Sequence, residues 1–308
     1  MSHDAEIIAK AIEALKPTQD YLKDYIFPVT LAFFSALLGG ASAVYINKRQ
    51  DFKNVTKENF VSSLQIYNLA HECLSNLVAI KVNYQHIESD EPLIRANQIP
   101  TLLTKLDDIT YNTQTLYFIK PIRTANKSLL ERCYWNIKHH ILKKKIEVPD
   151  YKQLRNSWRN TVRINAMFSN YNEIMRIARF RNDLNEQVKH LVSQASREQS
   201  LPIEKIQHIL GANLCGGYVD VTESFIALTD YVMVELYEFL LKFPEIAESN
   251  IELRKIKELG RLPVVENREV AFLQSMKPIV KPDYKKLAKY TGASEEQLLR
   301  KNTYSNLV

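Results

Sequence analysis

The chain has 308 residues, with 41 Lys or Arg against 35 Asp or Glu, and it contains only seven glycines and three cysteines. So few glycines disfavour all-β and α/β proteins, which need glycine in tight turns and phosphate-binding loops. Cys73, Cys133 and Cys215 are odd in number and widely spaced, unlike the disulfide framework of a small secreted domain. The composition therefore predicts a mainly α-helical protein with free thiols.

Residues 1–24 predict a short amphipathic segment. Ile7, Ile8, Ala11 and Ile12 fall on one side of a helix that ends before Pro17. Such a helix either lies in a membrane interface or packs against the rest of its own protein.

Residues 25–46 predict a single transmembrane helix. These 22 residues contain no Asp, Glu, Lys or Arg, and as a helix they would be about 33 Å long, enough for a hydrocarbon core of about 30 Å. The alternatives are a signal peptide that ends at Ala41-Ser42-Ala43 and a buried core helix. The acidic N-terminus is unlike a signal peptide, and the apolar residues cover every face, unlike an amphipathic core helix.

The lipid bilayer is therefore the first expected partner. Four basic residues follow the span (Lys48, Arg49, Lys53 and Lys57), and three precede it within the same distance. Together with the cysteine pattern, this bias predicts a protein of the inner (plasma) membrane with its N-terminus outside and residues 47–308 in the cytoplasm.

Small residues within the span predict contact between two copies of the chain. Ser35, Gly39 and Ala43 recur at four-residue spacing, with Gly40 beside them. Small side chains at this spacing let two helices approach closely, so a homo-oligomer through the span is one hypothesis.

The remainder predicts a large α-helical region. Apolar residues step by three and four along Phe60–Val78 and along Phe225–Phe239, which is typical of helices that share a core. We divide this region into a helical domain over 47–243 and a C-terminal helical hairpin region over 244–308.

Charge is uneven along the helical region. From Lys120 to Arg181 there are fifteen basic residues and four acidic ones, whereas Tyr218 to Gly260 has four basic and nine acidic residues. The basic stretch predicts a site for a polyanion, either nucleic acid or anionic lipid, with Trp158 near enough to stack on bases. The alternative is that the basic residues pack against the acidic helices of the same chain. The predicted polyanion-binding residues are Lys143, Lys144, Lys145, Arg155, Arg159 and Arg163, the three arginines sharing one helix face by their spacing.

Motifs for cofactors and metals are missing from the sequence. It contains no G-x-x-x-x-G-K-[ST], G-x-G-x-x-G, G-x-S-x-G or H-E-x-x-H, so no nucleotide cofactor and no metal is expected. Cys215-Gly216-Gly217 has no nearby histidine and predicts the end of a helix rather than a catalytic site.

One short stretch suggests an enzyme. In "RCYWNIKHH", six residues separate Arg132 from His139. This stretch resembles the Arg-x4–6-His signature of the all-helical HEPN ribonucleases. The resemblance implies that Arg132 would stabilise the phosphorane and His139 would act in acid-base chemistry on RNA. Two exposed basic residues on an ordinary amphipathic helix explain the same pattern.

The C-terminus contains a second short pattern. In "KKLAKYTGASEEQLL", Ala288, Gly292 and Ser294 have the spacing at which an alanine packs between two helices, a glycine turns the chain and a serine caps the next helix. The stretch looks like the core helices of helix-turn-helix DNA-binding domains, and Ser294 with Gln297 predicts a capping box. A plain helical hairpin explains the spacing equally well.

These observations lead to one main hypothesis and two alternatives. The main hypothesis is a single-pass membrane-anchored helical interaction or effector protein without its own enzymatic activity, of the bacterial toxin or anti-phage (antiviral) defence type, whose protein partner is unknown. The first alternative is a membrane-tethered nucleic-acid-binding protein. The second is a membrane-anchored ribonuclease.

Overall fold

A computed structural model describes residues 3–14, 25–113, 129–142, 155–195, 201–251, 260–264 and 266–304; the side chains at positions 129, 131, 132, 139, 140, 249 and 250 are not described. Within these residues every regular element is a helix and there is no strand, so the prediction of a mainly helical protein is confirmed. The helices are α1 (His3–Ala14), α2 (Phe27–Val82), α3 (Pro92–Gln98), α4 (Leu129–Asn136), α5 (Thr161–Ala195), α6 (Ile203–Asn250), α7 (Val270–Ser275), α8 (Tyr284–Thr291) and α9 (Glu295–Asn302), and α4 continues as a π-helical turn over Ile137–Ile141.

Two compact units divide the chain, the first Met1–Val55 and the second Thr56–Val308. The helix α2 contributes its first half to one unit and its second half to the other. The sequence places domain boundaries after residues 24, 46 and 243, and this finer division stays a prediction.

The first unit has no buried side chain among its described residues. The apolar side of α1 is exposed, with Ile7, Ile8 and Ile12 each more than half accessible. The apolar half of α2 is exposed on all sides as well, from Phe27 to Ile46.

The second unit contains a large core built from α2, α5 and α6. The stripe of α2 buries Phe60, Tyr67 and Leu74, and the stripe of α6 is buried from Phe225 to Phe239. The two predicted apolar stripes are therefore confirmed as core, although His71 of the first stripe is exposed.

A smaller apolar cluster joins the C-terminal hairpin to the rest of the second unit. Leu287 of α8 and Leu298 of α9 are buried beside Cys215, Tyr218 and Val219 of α6. The hairpin therefore packs against the N-terminal third of α6.

The prediction that the helix ends at Cys215-Gly216-Gly217 is wrong. α6 continues through all three residues and is broken earlier, at Gly211, whose φ of 70° lies in the left-handed region that favours glycine. Gly216 is required for a different reason: a Cβ there would lie 2.4 Å from the backbone oxygen of Tyr290. The glycine lets the end of α8 approach the α6 backbone.

Candidate functional site

The apolar half of α2 is long and apolar enough to cross a membrane, and none of it is buried within the protein. Phe27, Phe34 and Leu38 are each exposed by more than 60%. In water, so many contiguous exposed apolar side chains are unfavourable, and large patches of this kind mark contact with lipid or with another protein.

The small residues of this segment are all accessible. Ser35, Gly39, Gly40 and Ala43 are exposed, and a Cβ built on either glycine meets no atom within 4 Å. Close packing of this face against a second helix stays a prediction.

The predicted polyanion site is only partly described, because Lys143, Lys144 and Lys145 lie outside the described residues. α5 begins at Thr161, so Arg155 and Arg159 precede the helix that carries Arg163. The inference that the three arginines share one helix face is therefore wrong. Arg155 is exposed, and partial burial lowers the pKa of Arg159.

Arg163 is engaged within the protein. Its Nη2 lies 3.0 Å from Glu235 Oε1 and 3.0 Å from Glu238 Oε2, and its guanidinium sits 3.7 Å from the centre of the Trp158 ring. Trp158 is only 1% exposed and packs edge-on against Phe239, so it cannot stack on a base. Arg163 therefore packs against an acidic part of α6 in the same chain, as the alternative interpretation predicts.

The two residues of the ribonuclease hypothesis fall on α4 and the π-helical turn after it. The side chains of Arg132 and His139 lie outside the described residues. Their catalytic pairing stays a prediction.

The C-terminal hairpin has the local structure that its sequence predicts. Gly292 ends α8 with a φ of 70°, and Ser294 caps α9 through a capping box with Gln297. Glu295 and Glu296 are exposed in the first turn of α9, where a DNA-reading helix would meet bases and phosphates. DNA binding through this hairpin stays a prediction.

A cluster of buried charges that the sequence pattern did not predict lies in the second unit. Arg95 of α3 is 1% exposed and Glu223 of α6 is 2% exposed. Arg95 Nε donates to Glu223 Oε1 at 2.6 Å and Nη2 donates to Oε2 at 3.0 Å, a bidentate pair. Asp230 lies about two turns after Glu223 on α6, and its Oδ1 is 2.6 Å from Nζ of Lys81 on α2.

These charged groups also hold an extended segment of backbone, which we call the strap (residues 277–283). Lys81 Nζ donates to the carbonyl oxygen of Lys277 at 2.6 Å, and Arg95 Nη1 donates to that of Val280 at 2.5 Å. Asp230 Oδ2 accepts from the amide of Ile279 at 3.0 Å. The strap is therefore attached to the core through hydrogen bonds to charged side chains.

Burial sets the electrostatics of the two carboxylates. Desolvation raises the pKa of Glu223, and the hydrogen bonds from Arg95 oppose that rise. Desolvation likewise raises the pKa of Asp230 against the opposing effect of Lys81. The sequence signal was limited: Glu223 and Asp230 are seven residues apart and so share one side of a helix, but they lie off the apolar stripe that begins at Phe225.

A groove of about 360 Å³ lies beside the strap. Tyr231, Tyr284 and Tyr304 contribute aromatic surface to it, and the rings of Tyr231 and Tyr304 are 5.5 Å apart. Arg95, Glu223 and Asp230 also line it. Arg95, Glu223 and Asp230 are paired within the protein, so the groove offers aromatic groups, backbone groups and the exposed Lys281 to a partner.

A second cleft, of about 530 Å³, lies where α6 is broken at Gly211. Tyr290 donates to Glu91 Oε1 at 2.6 Å across it, and Lys286 lies 3.3 Å from Glu91 Oε2. Among the residues that the structure describes, no three His, Cys, Asp or Glu side chains are grouped to hold a metal ion.

Comparison with known proteins finds no matching family model, no similar curated protein and no similar solved structure.

Proposed function

We propose that the protein is a single-pass membrane protein whose second unit, residues 56–308, presents a protein-binding surface at the membrane. The observation that supports this proposal most directly is the exposure of the apolar half of α2 on every face. Such a helix is stable in a bilayer, because the backbone hydrogen bonds of a helix are internal and the side chains of this one are apolar. The tyrosine-lined groove beside the strap is the surface that we assign to the protein partner, since tyrosines are enriched in protein interfaces.

Charge placed in the middle of the span tests the anchoring. Replacing Leu37 and Leu38 together by arginine costs about 2.5–3.5 kcal/mol for each residue at the centre of a membrane helix. We expect the doubly substituted protein to leave the alkali-resistant membrane fraction. The control is Leu103→Arg, at a position that is 93% exposed in the second unit, and it should stay with the membrane. If the double variant remains in that fraction, the anchoring proposal is wrong.

The proposed orientation puts the second unit in the cytoplasm. All three cysteines are free, which supports a reducing compartment. Cys133 is exposed, so a membrane-impermeant maleimide should label it only after the cells are permeabilised. Labelling in intact cells would place the second unit outside and reverse the orientation.

As an effector of the toxin or anti-phage defence type, the protein would assemble through its span and disturb the membrane. In the single chain, a Cβ at Gly39 or Gly40 meets no other atom, so leucine at both positions causes no clash within one copy. Loss of assembly in the Gly39→Leu, Gly40→Leu variant would therefore indicate that this face contacts a second helix. We expect cross-linked oligomers and any growth defect on overexpression to decrease in this variant. Gly39→Ala with Gly40→Ala keeps small side chains and should behave like wild type. Unchanged oligomers in the leucine variant would remove this face from the mechanism.

A further inference from the structure

The helix α4 and the π-helical turn after it carry an exposed apolar stripe, which we call the α4 stripe. Its members are Leu130, Tyr134, Ile137 and Ile141, spaced by four, three and four residues. They are exposed by 83%, 68%, 47% and 71%, respectively. This spacing places the four side chains on one side of the helix, where they form a continuous unburied apolar surface.

Basic residues accompany the stripe. Lys138 lies in the π-helical turn, and the sequence from Leu129 to Lys145 contains five basic residues against a single acid, Glu131. An apolar stripe on a basic amphipathic helix is the arrangement of helices that lie in the plane of a membrane surface. Tyrosine also suits this depth, because its ring is apolar and its hydroxyl can reach water.

We propose that the α4 stripe lies in the anionic surface of a lipid bilayer, with Lys138 on the lipid phosphates. This inference rests on the proposed function, since it gives the membrane-anchored protein a second point of contact with lipid. A nucleic acid offers no counterpart to four adjacent exposed aliphatic and aromatic side chains. A second copy of α4 would bring like charges together. Anionic lipid matches both the apolar stripe and the positive charge.

The chain contains its own reporter position for a test. Cys133 lies on α4 and is exposed, whereas Cys73 and Cys215 are buried. Burial raises the pKa of the Cys73 thiol to about 12 and that of Cys215 to about 11, so a thiol reagent at neutral pH modifies Cys133 first. A nitrobenzoxadiazole fluorophore on Cys133 of the full chain then reports on the surroundings of α4.

The experiment uses the labelled full chain reconstituted into vesicles of equimolar phosphatidylglycerol and phosphatidylcholine that contain nitroxide-labelled lipid. We expect the nitroxide to quench the fluorophore in these vesicles and to quench it much less in vesicles of phosphatidylcholine alone. Ile137→Glu with Ile141→Glu should reduce quenching to the level of nitroxide-free vesicles. Lys138→Glu, which keeps the stripe, should reduce quenching only in the anionic vesicles. The matched control, Leu103→Glu with Val162→Glu, changes two other exposed apolar residues and should leave quenching unchanged.

Flotation of the same vesicles after alkaline carbonate separates this inference from the anchoring proposal. If the protein floats with the vesicles after carbonate but the fluorophore is not quenched, the span is supported and the α4 inference is wrong. If the fluorophore is quenched but carbonate removes the protein from the vesicles, the α4 contact is supported and the span is wrong. If there is neither quenching nor carbonate-resistant flotation, both proposals are wrong. A fluorophore response that depends on protein density but not on lipid charge would assign the stripe to a second copy. A response that requires added RNA would assign it to nucleic acid, and either result overturns the inference.

Discussion

The two halves of α2 show that the more apolar segment of a helix is not always the buried one. The half from Phe27 to Ile46 has no charged residue, yet none of its side chains is buried. The half from Thr56 to Val82 contains charges and buries twelve side chains, Lys81 among them. Exposure of the more apolar half is unfavourable in water, and it is the observation that supports the proposed membrane span. Burial of a lysine in the other half indicates a core that depends on paired charges.

Breaking the Arg95–Glu223 pair should give the largest effect, because it tests the buried charges directly. Arg95→Met leaves the Glu223 carboxylate buried and unpaired, and it also removes a hydrogen bond to the strap. We expect the free energy of unfolding to fall by about 3–5 kcal/mol. The measurement is denaturant unfolding of the full chain in micelles, followed by tryptophan fluorescence, to which buried Trp158 contributes together with Trp135.

Lys301→Met is the control for that experiment. The Lys301–Asp220 pair is partly exposed, at 47% and 30% of the two side chains, so its loss should change stability by about 0–1 kcal/mol. Equal destabilisation by the two substitutions would show that burial does not determine the cost.

The same leucine-to-alanine change in each half of α2 sharpens the comparison further. Leu74 is 4% exposed in the core, so Leu74→Ala should lower the free energy of unfolding by about 2–5 kcal/mol. Leu38 is 67% exposed, and Leu38→Ala should leave unfolding of the second unit in micelles unchanged. A comparable loss at Leu38 would mean that the apolar half packs against protein.

A smaller effect is expected where two backbones approach each other. Gly216→Ala places a Cβ 2.4 Å from the backbone oxygen of Tyr290, and displacing α8 should cost about 1–3 kcal/mol. Gly217→Ala is the neighbouring control, because its Cβ meets no atom within 4 Å and alanine favours a helix. The same unfolding assay should therefore show Gly217→Ala to be neutral or stabilising. Destabilisation by both would point to the loss of glycine itself rather than to the contact.

The last effect is absent at neutral pH and appears only in alkali. Burial raises the pKa of Cys73 from 9.0 to about 12, so the unfolded chain releases this proton at a lower pH than the folded chain does. The contribution of Cys73 is thus fully present below pH 9 and is lost as the pH rises towards 12, by at most about 1.4 kcal/mol for each pH unit. Cys73→Ala should flatten the decline of stability above pH 9 relative to wild type. Exposed Cys133→Ala should leave the decline unchanged, and the same slope in all three proteins would contradict the assignment.

Local patterns in the sequence determined the elements of this protein. Helical periodicity identified the two core stripes, and the lack of charge identified the segment that suits a membrane. Ser294, Gln297 and Gly292 predicted the C-terminal turn correctly, because caps and turns depend on residues within three or four positions of one another.

Only the tertiary structure decided which charges are buried and what they contact. Arg95 and Glu223 are 128 residues apart, and Lys81 reaches a carbonyl 196 residues away. It also directed Arg163 to Glu235 and Glu238, and it required glycine at position 216 for contact with Tyr290. Such contacts depend on how helices that are far apart in the sequence pack together. The apolar periodicity of a helix shows only that one of its sides is buried, not which residues it contacts.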